Sequence, residues 1–202
     1  REFYSMLSEP EISSLGRFSI ELKSYASNQI YDIIDQRVKE AFQPNTVSSD
    51  ILEYVSDITA NPPVNGDARY ALDLLLYSGN IAEFDSSDKV SAEHIRRVID
   101  QTHPSITTED VLTLPFEGRL TLLGVVRALK NRGAPYISLK EIREMCSIVC
   151  EEHRVKPLSA NTVEEALDDL YDRGIVTIKS LHSIGISGVP TETLKKFLDG
   201  LI

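Results

Sequence analysis

The stretch Asn65–Glu83, NGDARYALDLLLYSGNIAE, predicts a long amphipathic helix. One face should be buried, because small or apolar residues recur at three- and four-residue spacing at Leu72, Leu75, Leu76 and Gly79. Asn65 is the expected N-cap, and Asp67 lies where the positive end of the helix dipole favours a carboxylate. Arg69 lies in the same turn, where a cation gains nothing from the dipole. An anion outside the helix explains this arginine more easily, with a solvated surface residue as the alternative.

The segments around this helix predict a mainly α-helical first half. Helices are expected from Ser27 to Phe42, with Ser27 as N-cap, from Ser48 or Ser49 to the Asn61-Pro62-Pro63 break, and after Ser91. Four helices with short connections predict a four-helix bundle. Before it, Phe18–Leu22 alternates apolar and polar residues, which is typical of a strand. The sequence predicts three parts: residues 1–24, the bundle at 25–103 and a second domain at 104–202.

The second domain has the element order of a winged helix. Three helices are expected: the first includes Leu120–Leu129, the second runs from Ser138 to His153, and the third begins at Ser159. A strand at 175–178 follows, and the glycine-containing segment His182–Pro190 is interpreted as a hairpin tip or wing. The segment 191–198 is too polar at its start to assign. In this order the helix after Ser159 is the recognition helix.

Candidate DNA contacts cluster at the start of that helix. Ser159, Asn161 and Thr162 lie in its first turn, and Arg154 and Lys156 come just before it. Its outer face, however, carries the five carboxylates of Glu164, Glu165, Asp168, Asp169 and Asp172, which work against phosphate contact. Further cations either extend a phosphate-binding strip or are solvated, namely Arg119, Arg127, Lys130, Arg132 and Arg143. The residues alone leave two readings open, duplex DNA or a basic protein partner.

Charge and composition limit the classes of protein to which the chain can belong. The net charge is −10 and the chain has 202 residues, which suggests one or two domains. Neither half has the basic excess that marks many nucleic-acid binders. No apolar run approaches the roughly 20 residues of a membrane-spanning helix, and no signal-peptide pattern occurs, so a cytoplasmic protein without membrane contact is expected.

Neither catalytic nor metal chemistry is indicated. The pattern G-x-x-x-x-G-K-[ST] is absent from the sequence, so the chain alone is not expected to hydrolyse ATP. Cys146, Cys150 and His153 share one helix but lack an apparent fourth ligand, so no metal site is predicted. No Ser–His–Asp or Cys–His catalytic arrangement is evident.

Five ordered segments resemble the archaeal origin-recognition and cell-division-control replication initiators, which are AAA+ proteins. The decisive string is Gly66-Asp67-Ala68-Arg69 followed by Ala71–Leu75. The others are Ser14-Leu15-Gly16, Tyr25–Ile34 leading into Gln36–Phe42, Val90–Arg96, and Leu114-Pro115 before the helix at Leu120–Leu129. The resemblance implies a remnant of the ATPase base at 1–24, a lid at 25–103 and a DNA-binding winged helix at 104–202. The chain is therefore expected to be a fragment of a longer initiator.

The resemblance also implies site residues and partners. Arg69 takes the place of the second sensor arginine, which touches nucleotide phosphates, and the wing residues Lys179, His182 and Ser187 become DNA-contact candidates. A trans-acting arginine is not expected, since none lies between Arg1 and Arg17.

For the full-length protein the resemblance implies ATP or ADP with Mg²⁺, and for this chain alone no cofactor. The implied partners are double-stranded origin DNA, other initiator subunits and the replicative helicase, in the cytoplasm at the nucleoid. The alternative is a protein-interaction module that docks on another initiator or on the helicase with little DNA binding of its own. A transcription regulator with an unrelated helical dimerisation domain is a third reading, which leaves Gly66–Arg69 unexplained.

Overall fold

The computed structural model describes residues 22–102, 106–186 and 188–202. The predicted Ser14-Leu15-Gly16 segment, most of the predicted strand at 18–22, the linker at 103–105 and the candidate Ser187 lie outside these residues. The domain boundaries predicted at 24/25 and 103/104 stay predictions. No helix in the described ranges is both long enough and apolar enough to cross a bilayer.

The first domain is the predicted four-helix bundle. Its helices are α1 (Ser27–Ala41), α2 (Ser49–Ala60), α3 (Ala68–Phe84) and α4 (Ala92–Thr102). They enclose one apolar core in which Ile30, Ile34, Val55 and Ile95 are fully buried. The hydrophobic spacing alone predicted these four elements, because each helix buries one face against the others.

Two predicted N-caps are wrong, and the structure gives the reason for each. Asp67, not Asn65, caps α3, because its carboxylate accepts from the amide N–H groups of Arg69 at 2.9 Å and Tyr70 at 3.4 Å. Ser27 is the first residue within α1, and its hydroxyl donates to Asp57 at 2.9 Å. The N-cap position of α1 falls on Ala26, whose amide donates to the Gln29 side chain at 3.0 Å.

The buried face of α3 is also partly different from the predicted one. Ala71, Leu74, Leu75, Ser78 and Ala82 are buried, whereas Leu76 is 54% exposed. Three consecutive leucines fit more than one helical face, so spacing alone did not decide which of them points inward.

The second domain is the predicted winged helix with two additional helices. Its elements are α5 (Thr108–Leu112), α6 (Phe116–Arg132), β1 (Tyr136–Ile137), α7 (Leu139–Glu152), α8 (Ala160–Asp172), β2 (Thr177–Ser180), β3 (Ser183–Gly185) and α9 (Thr191–Asp199). Helix α6 lies at the centre and packs against α7, α8 and α9. The strands form an antiparallel sheet in the order β1-β3-β2.

The wing is shorter than the predicted segment His182–Pro190. The chain turns at Leu181 and His182, and β3 begins at the next residue. Ile184 and Ile186 are buried, so the chain returns into the core instead of forming an exposed loop. Helix α9, which was not assigned from the sequence, follows and buries Leu194 and Leu198.

Candidate nucleic-acid interface

Helix α8 begins with an exposed, neutral cap. The Ser159 hydroxyl accepts from the Thr162 amide at 3.1 Å and lies 2.8 Å from the Thr162 hydroxyl. Asn161 is exposed in the same turn. Since a hydroxyl cap carries no charge, the positive end of the helix dipole remains available to an external anion.

Arg154 occupies a backbone position that normally suits glycine. It has a φ of 56° directly after the C-cap of α7. The Val155 amide donates to the Cys150 carbonyl at 3.0 Å, and the Arg154 amide donates to the Glu151 carbonyl at 3.1 Å, which is a Schellman motif. At the ends of α6 and α8 the left-handed position is filled by Gly133 and Gly174. An arginine there costs roughly 1 kcal/mol of backbone strain.

Most cations of the winged-helix domain already have partners within the protein. The predicted phosphate-binding strip is occupied: Arg127 pairs with Glu152 and Asp199, Lys130 with Glu192, Arg132 with Glu141 and Arg143 with Glu164, while Arg119 donates to the carbonyls of Leu114 and Leu201. By contrast, Arg154 and Lys156 are exposed and form no ion pair with any described residue. The two cations that precede α8 are therefore free to meet an external anion, as is the exposed Lys196 of α9.

The acidic face of α8 is only partly neutralised. Glu164 pairs with Arg143 and Asp169 pairs with Arg173. Glu165, Asp168 and Asp172 have no ion-pair partner within the described ranges. Since these carboxylates lie beyond the first turn, a polyanion can approach this helix only at its start.

The structure does not bring the wing candidates into this cluster. The Lys179 ammonium contacts Glu53 at 3.3 Å and also pairs with Asp57, so it is bound to the first domain. His182 is exposed in the β2–β3 turn. Contact of these residues with DNA stays a prediction, and in this arrangement of the domains Lys179 is already engaged.

Arg69 lies exposed in the first turn of α3. No carboxylate among the described residues forms an ion pair with it. The backbone before it is closely held: Gly66 has a φ of 83°, its amide donates to the Thr59 carbonyl at 2.7 Å, and a Cβ at this position would lie 2.5 Å from the Tyr25 carbonyl oxygen. The glycine is required by this close approach. The segment thus presents one unpaired guanidinium from a fixed start of the helix.

The contact between the two domains was missed by sequence reasoning. Arg96, only 2% exposed, donates from Nε to the Ile186 carbonyl at 3.0 Å and from a terminal nitrogen to the Pro135 carbonyl at 3.2 Å. Its guanidinium also lies 5.7 Å from the ring centroid of Tyr54, whose hydroxyl donates to the same Ile186 carbonyl. Burial raises the pKa of Tyr54 above its ordinary value.

A second cluster lies at the same interface and is more exposed. The Tyr136 hydroxyl donates to Asp57 at 3.3 Å, and its ring meets that of Tyr54 edge to face with centroids 5.6 Å apart. The Lys179 ammonium lies 4.3 Å from the centroid of the Tyr136 ring. Burial, followed by the nearby Asp57 carboxylate, raises the pKa of Tyr136. No sequence signal marks these partners, because Tyr136 and Lys179 lie 79 and 122 positions after Asp57 along the chain.

The cysteines serve packing. Cys146 and Cys150 are buried in α7, and a Cβ at Gly124 of α6 would lie 2.5 Å from the Cys146 sulfur, so the two helices pack closely at this point. Burial raises the pKa of Cys146 to about 12, which keeps it a neutral thiol. Within the described part of the chain, no three His, Cys, Asp or Glu side chains are placed to hold a metal ion.

Comparison with known proteins gives one consistent set of relatives. Residues 31–100 match the family model of the Cdc6 AAA+ ATPase-type lid domain, and residues 109–185 match that of the CDC6 C-terminal winged helix domain. The chain is 29% identical over 178 residues to an ORC1-type DNA replication protein of Pyrococcus abyssi, covering 88% of this chain and 42% of that protein. It is 32% identical over 164 residues to ORC1-type DNA replication protein 7 of Halobacterium salinarum, covering 81% of this chain and 31% of that protein.

Among solved structures, Cdc6p from Pyrobaculum aerophilum superimposes with a TM-score of 0.86 and 31% identity, over 98% of this chain and 53% of that one. The chain spans less than half the length of the two curated relatives it matches here.

Proposed function

Because the chain belongs to the archaeal ORC1/Cdc6-type family of DNA replication initiators, we propose that its winged helix binds duplex origin DNA through the start of α8. Arg154 and Lys156 would contact backbone phosphates, and Ser159, Asn161 and Thr162 would meet phosphate or base edges in the first turn. The chain would act at the nucleoid as the lid and winged-helix part of an ATP-dependent initiator.

The single observation that carries this proposal is the placement of Arg154. Nine of the twelve Lys and Arg side chains between 105 and 202 form a hydrogen bond or ion pair within the chain, whereas those of Arg154, Lys156 and Lys196 form none with a described residue. Arg154 also has a left-handed backbone conformation, which favours glycine. A side chain that lowers stability locally and forms no hydrogen bond or ion pair with a described residue is well explained by an external anion. The adjacent unneutralised helix start favours the same ligand.

We further propose that Arg69 senses a nucleotide held by the remainder of a longer initiator. Its guanidinium is exposed, unpaired among the described residues and fixed to a rigid helix start, which suits contact with a phosphate group. The phosphate-cradling loop does not occur in these 202 residues. Bound ATP with Mg²⁺ would supply the polyphosphate, and this chain would contribute the one cation.

A second candidate function is docking on a protein partner. The unpaired carboxylates of Glu165 and Asp168 on the outer face of α8 favour it, since a basic surface would complement them. Other initiator subunits and the replicative helicase are the partners that this family membership suggests. Reversing Glu165 and Asp168 to Lys without loss of partner binding would count against this function.

Duplex binding measured by fluorescence anisotropy tests the first proposal. For Arg154→Ala with Lys156→Ala, we expect the slope of log K against log salt to fall by about 1.8, since each phosphate contact contributes about 0.9. Lys140→Ala with Lys196→Ala removes the same charge elsewhere on the domain and is the matched control. Absence of binding at low salt, or an equal effect of the control pair, would overturn the DNA proposal.

A further inference from the structure

The wing cation Lys179 is held by the bundle domain. Its ammonium pairs with two carboxylates of α2, Glu53 at 3.3 Å and Asp57, and lies over the face of Tyr136. Glu53 and Asp57 are one helical turn apart, so both reach the same cation. Lys179 thus links the β2 strand of the winged helix to the first domain.

This contact differs from the Arg96 contact in its access to solvent. The side chains of Glu53, Lys179 and Asp57 are 63%, 32% and 19% exposed, whereas that of Arg96 is 3% exposed. An ion pair in contact with water contributes little net stability and exchanges partners readily. A pair of carboxylates around one ammonium also presents the same chemistry as a phosphate group, namely negatively charged oxygens at hydrogen-bond distance.

We infer that Glu53 and Asp57 compete with duplex phosphate for Lys179, so that the bundle domain restrains DNA binding by the wing. This inference rests on the proposed DNA function. Phosphate that captures Lys179 must remove it from the two carboxylates, and the contact between the domains must weaken by the same free energy. Binding of duplex and attachment of the wing to the bundle are therefore coupled with opposite sign.

The test is duplex affinity for Glu53→Gln with Asp57→Asn, measured in the wild-type background and with Lys179→Met. With Lys179 present, we expect affinity at low salt to rise about five-fold and the salt slope to steepen by about 0.9, as one further phosphate contact forms. With Lys179→Met, the slope should not change. Glu53→Gln alone, at an exposed site, keeps the test informative if Asp57→Asn unfolds the bundle.

The control for net charge is Asp50→Asn with Asp88→Asn, which removes two exposed carboxylates that form no ion pair with described residues. A gain that depends on Lys179 and exceeds this control supports the inference. An equal gain in affinity in both Lys179 backgrounds, or no gain in either, overturns this inference. The proposed function still stands in that case if Arg154→Ala with Lys156→Ala reduces the salt slope as expected. Failure of every variant and of the wild type to bind duplex overturns the proposed function itself.

Discussion

The start of α8 and the interface between the two domains each carry two cationic side chains. At the interface, Arg96 and Lys179 contact carbonyls, carboxylates and aromatic rings of the protein itself. At the start of α8, Arg154 and Lys156 contact no acidic group of the described chain. The same residue types therefore hold the two domains together at the interface and are available to an external ligand at the start of α8. The two sites differ in whether carbonyl and carboxylate groups of the protein lie near the cations, which composition and net charge do not reveal.

The largest effect is expected at the buried interface between the domains. Arg96→Met should lower the free energy of unfolding by about 3 kcal/mol, because it leaves the Pro135 carbonyl without its buried donor and removes the guanidinium that lies 3.6 Å from the Glu93 carboxylate. Arg97→Met is the matched control: Arg97 forms an ion pair with Asp85 and is partly exposed, so its loss should cost less than about 1 kcal/mol. Urea unfolding of both variants measures the difference, and equal losses would mean that Arg96 is not an anchor of the interface.

The next largest effect is expected at the unpaired cations before α8. Arg154→Gly should weaken duplex binding about ten-fold. It should leave stability unchanged or raise it by about 0.5 kcal/mol, because relief of the left-handed strain exceeds the added backbone entropy of glycine. Gly174→Ala, at the equivalent position after α8, should instead lose about 1 kcal/mol without changing DNA affinity. Fluorescence anisotropy and thermal melting distinguish the two variants. A clear loss of stability in Arg154→Gly would contradict the claim that the backbone of Arg154 is strained.

A smaller effect sharpens the view of the interface. Tyr54→Phe removes one buried hydrogen bond to the Ile186 carbonyl, which still accepts from Arg96, so we expect a loss of about 1 kcal/mol. Tyr77→Phe, at a ring that is 53% exposed, should have no measurable effect. If both variants melt at the wild-type temperature, the Tyr54 hydroxyl is not a contributor to the contact.

The smallest effect is a pH dependence of the bundle. Burial lowers the pKa of His94 below its ordinary value of 6.5, so the unfolded chain takes up a proton first as the pH falls. Stability should therefore decrease below about pH 6.5 and stop decreasing once the folded imidazole is protonated. His94→Gln should remove this part of the pH dependence while keeping the cap, because a Gln oxygen can accept from the Ser91 amide as His94 Nδ1 does at 3.2 Å. Unfolding at pH 7.5 and 5.5 compares the two; identical pH dependence would show that His94 does not titrate with folding.

Local chemistry explains most of what the sequence predicted correctly. The helices predicted to begin at Ser138 and Ser159 do so: Ser138 forms a capping box with Glu141, and Ser159 caps α8. Gly133 ends α6 in a left-handed conformation. Each of these depends on residues three or four positions apart, so the sequence contains the whole interaction. The family resemblance added the order of the domains.

The rest depended on contacts that are remote in sequence. The resemblance makes Lys179 a DNA-contact candidate, and the sequence does not reveal its carboxylate partners because they lie over 120 residues earlier. Leu76 is predicted to be buried because neighbouring leucines fit the same spacing, but it is exposed. Arg96 gave no signal at all, since an arginine on an amphipathic helix is usually solvated. For the cations of the winged helix, the sequence could show which were present but not which were already paired.

The contact between Tyr54 and Tyr136 makes the junction of the two domains observable by light. The chain has eight tyrosines and no tryptophan, so its near-ultraviolet emission comes from phenol rings alone. Two of those rings meet edge to face at this junction, one beside a guanidinium and the other beneath an ammonium. Any separation of the domains would change the surroundings of both rings at once, and the unlabelled protein would report it in its own spectrum.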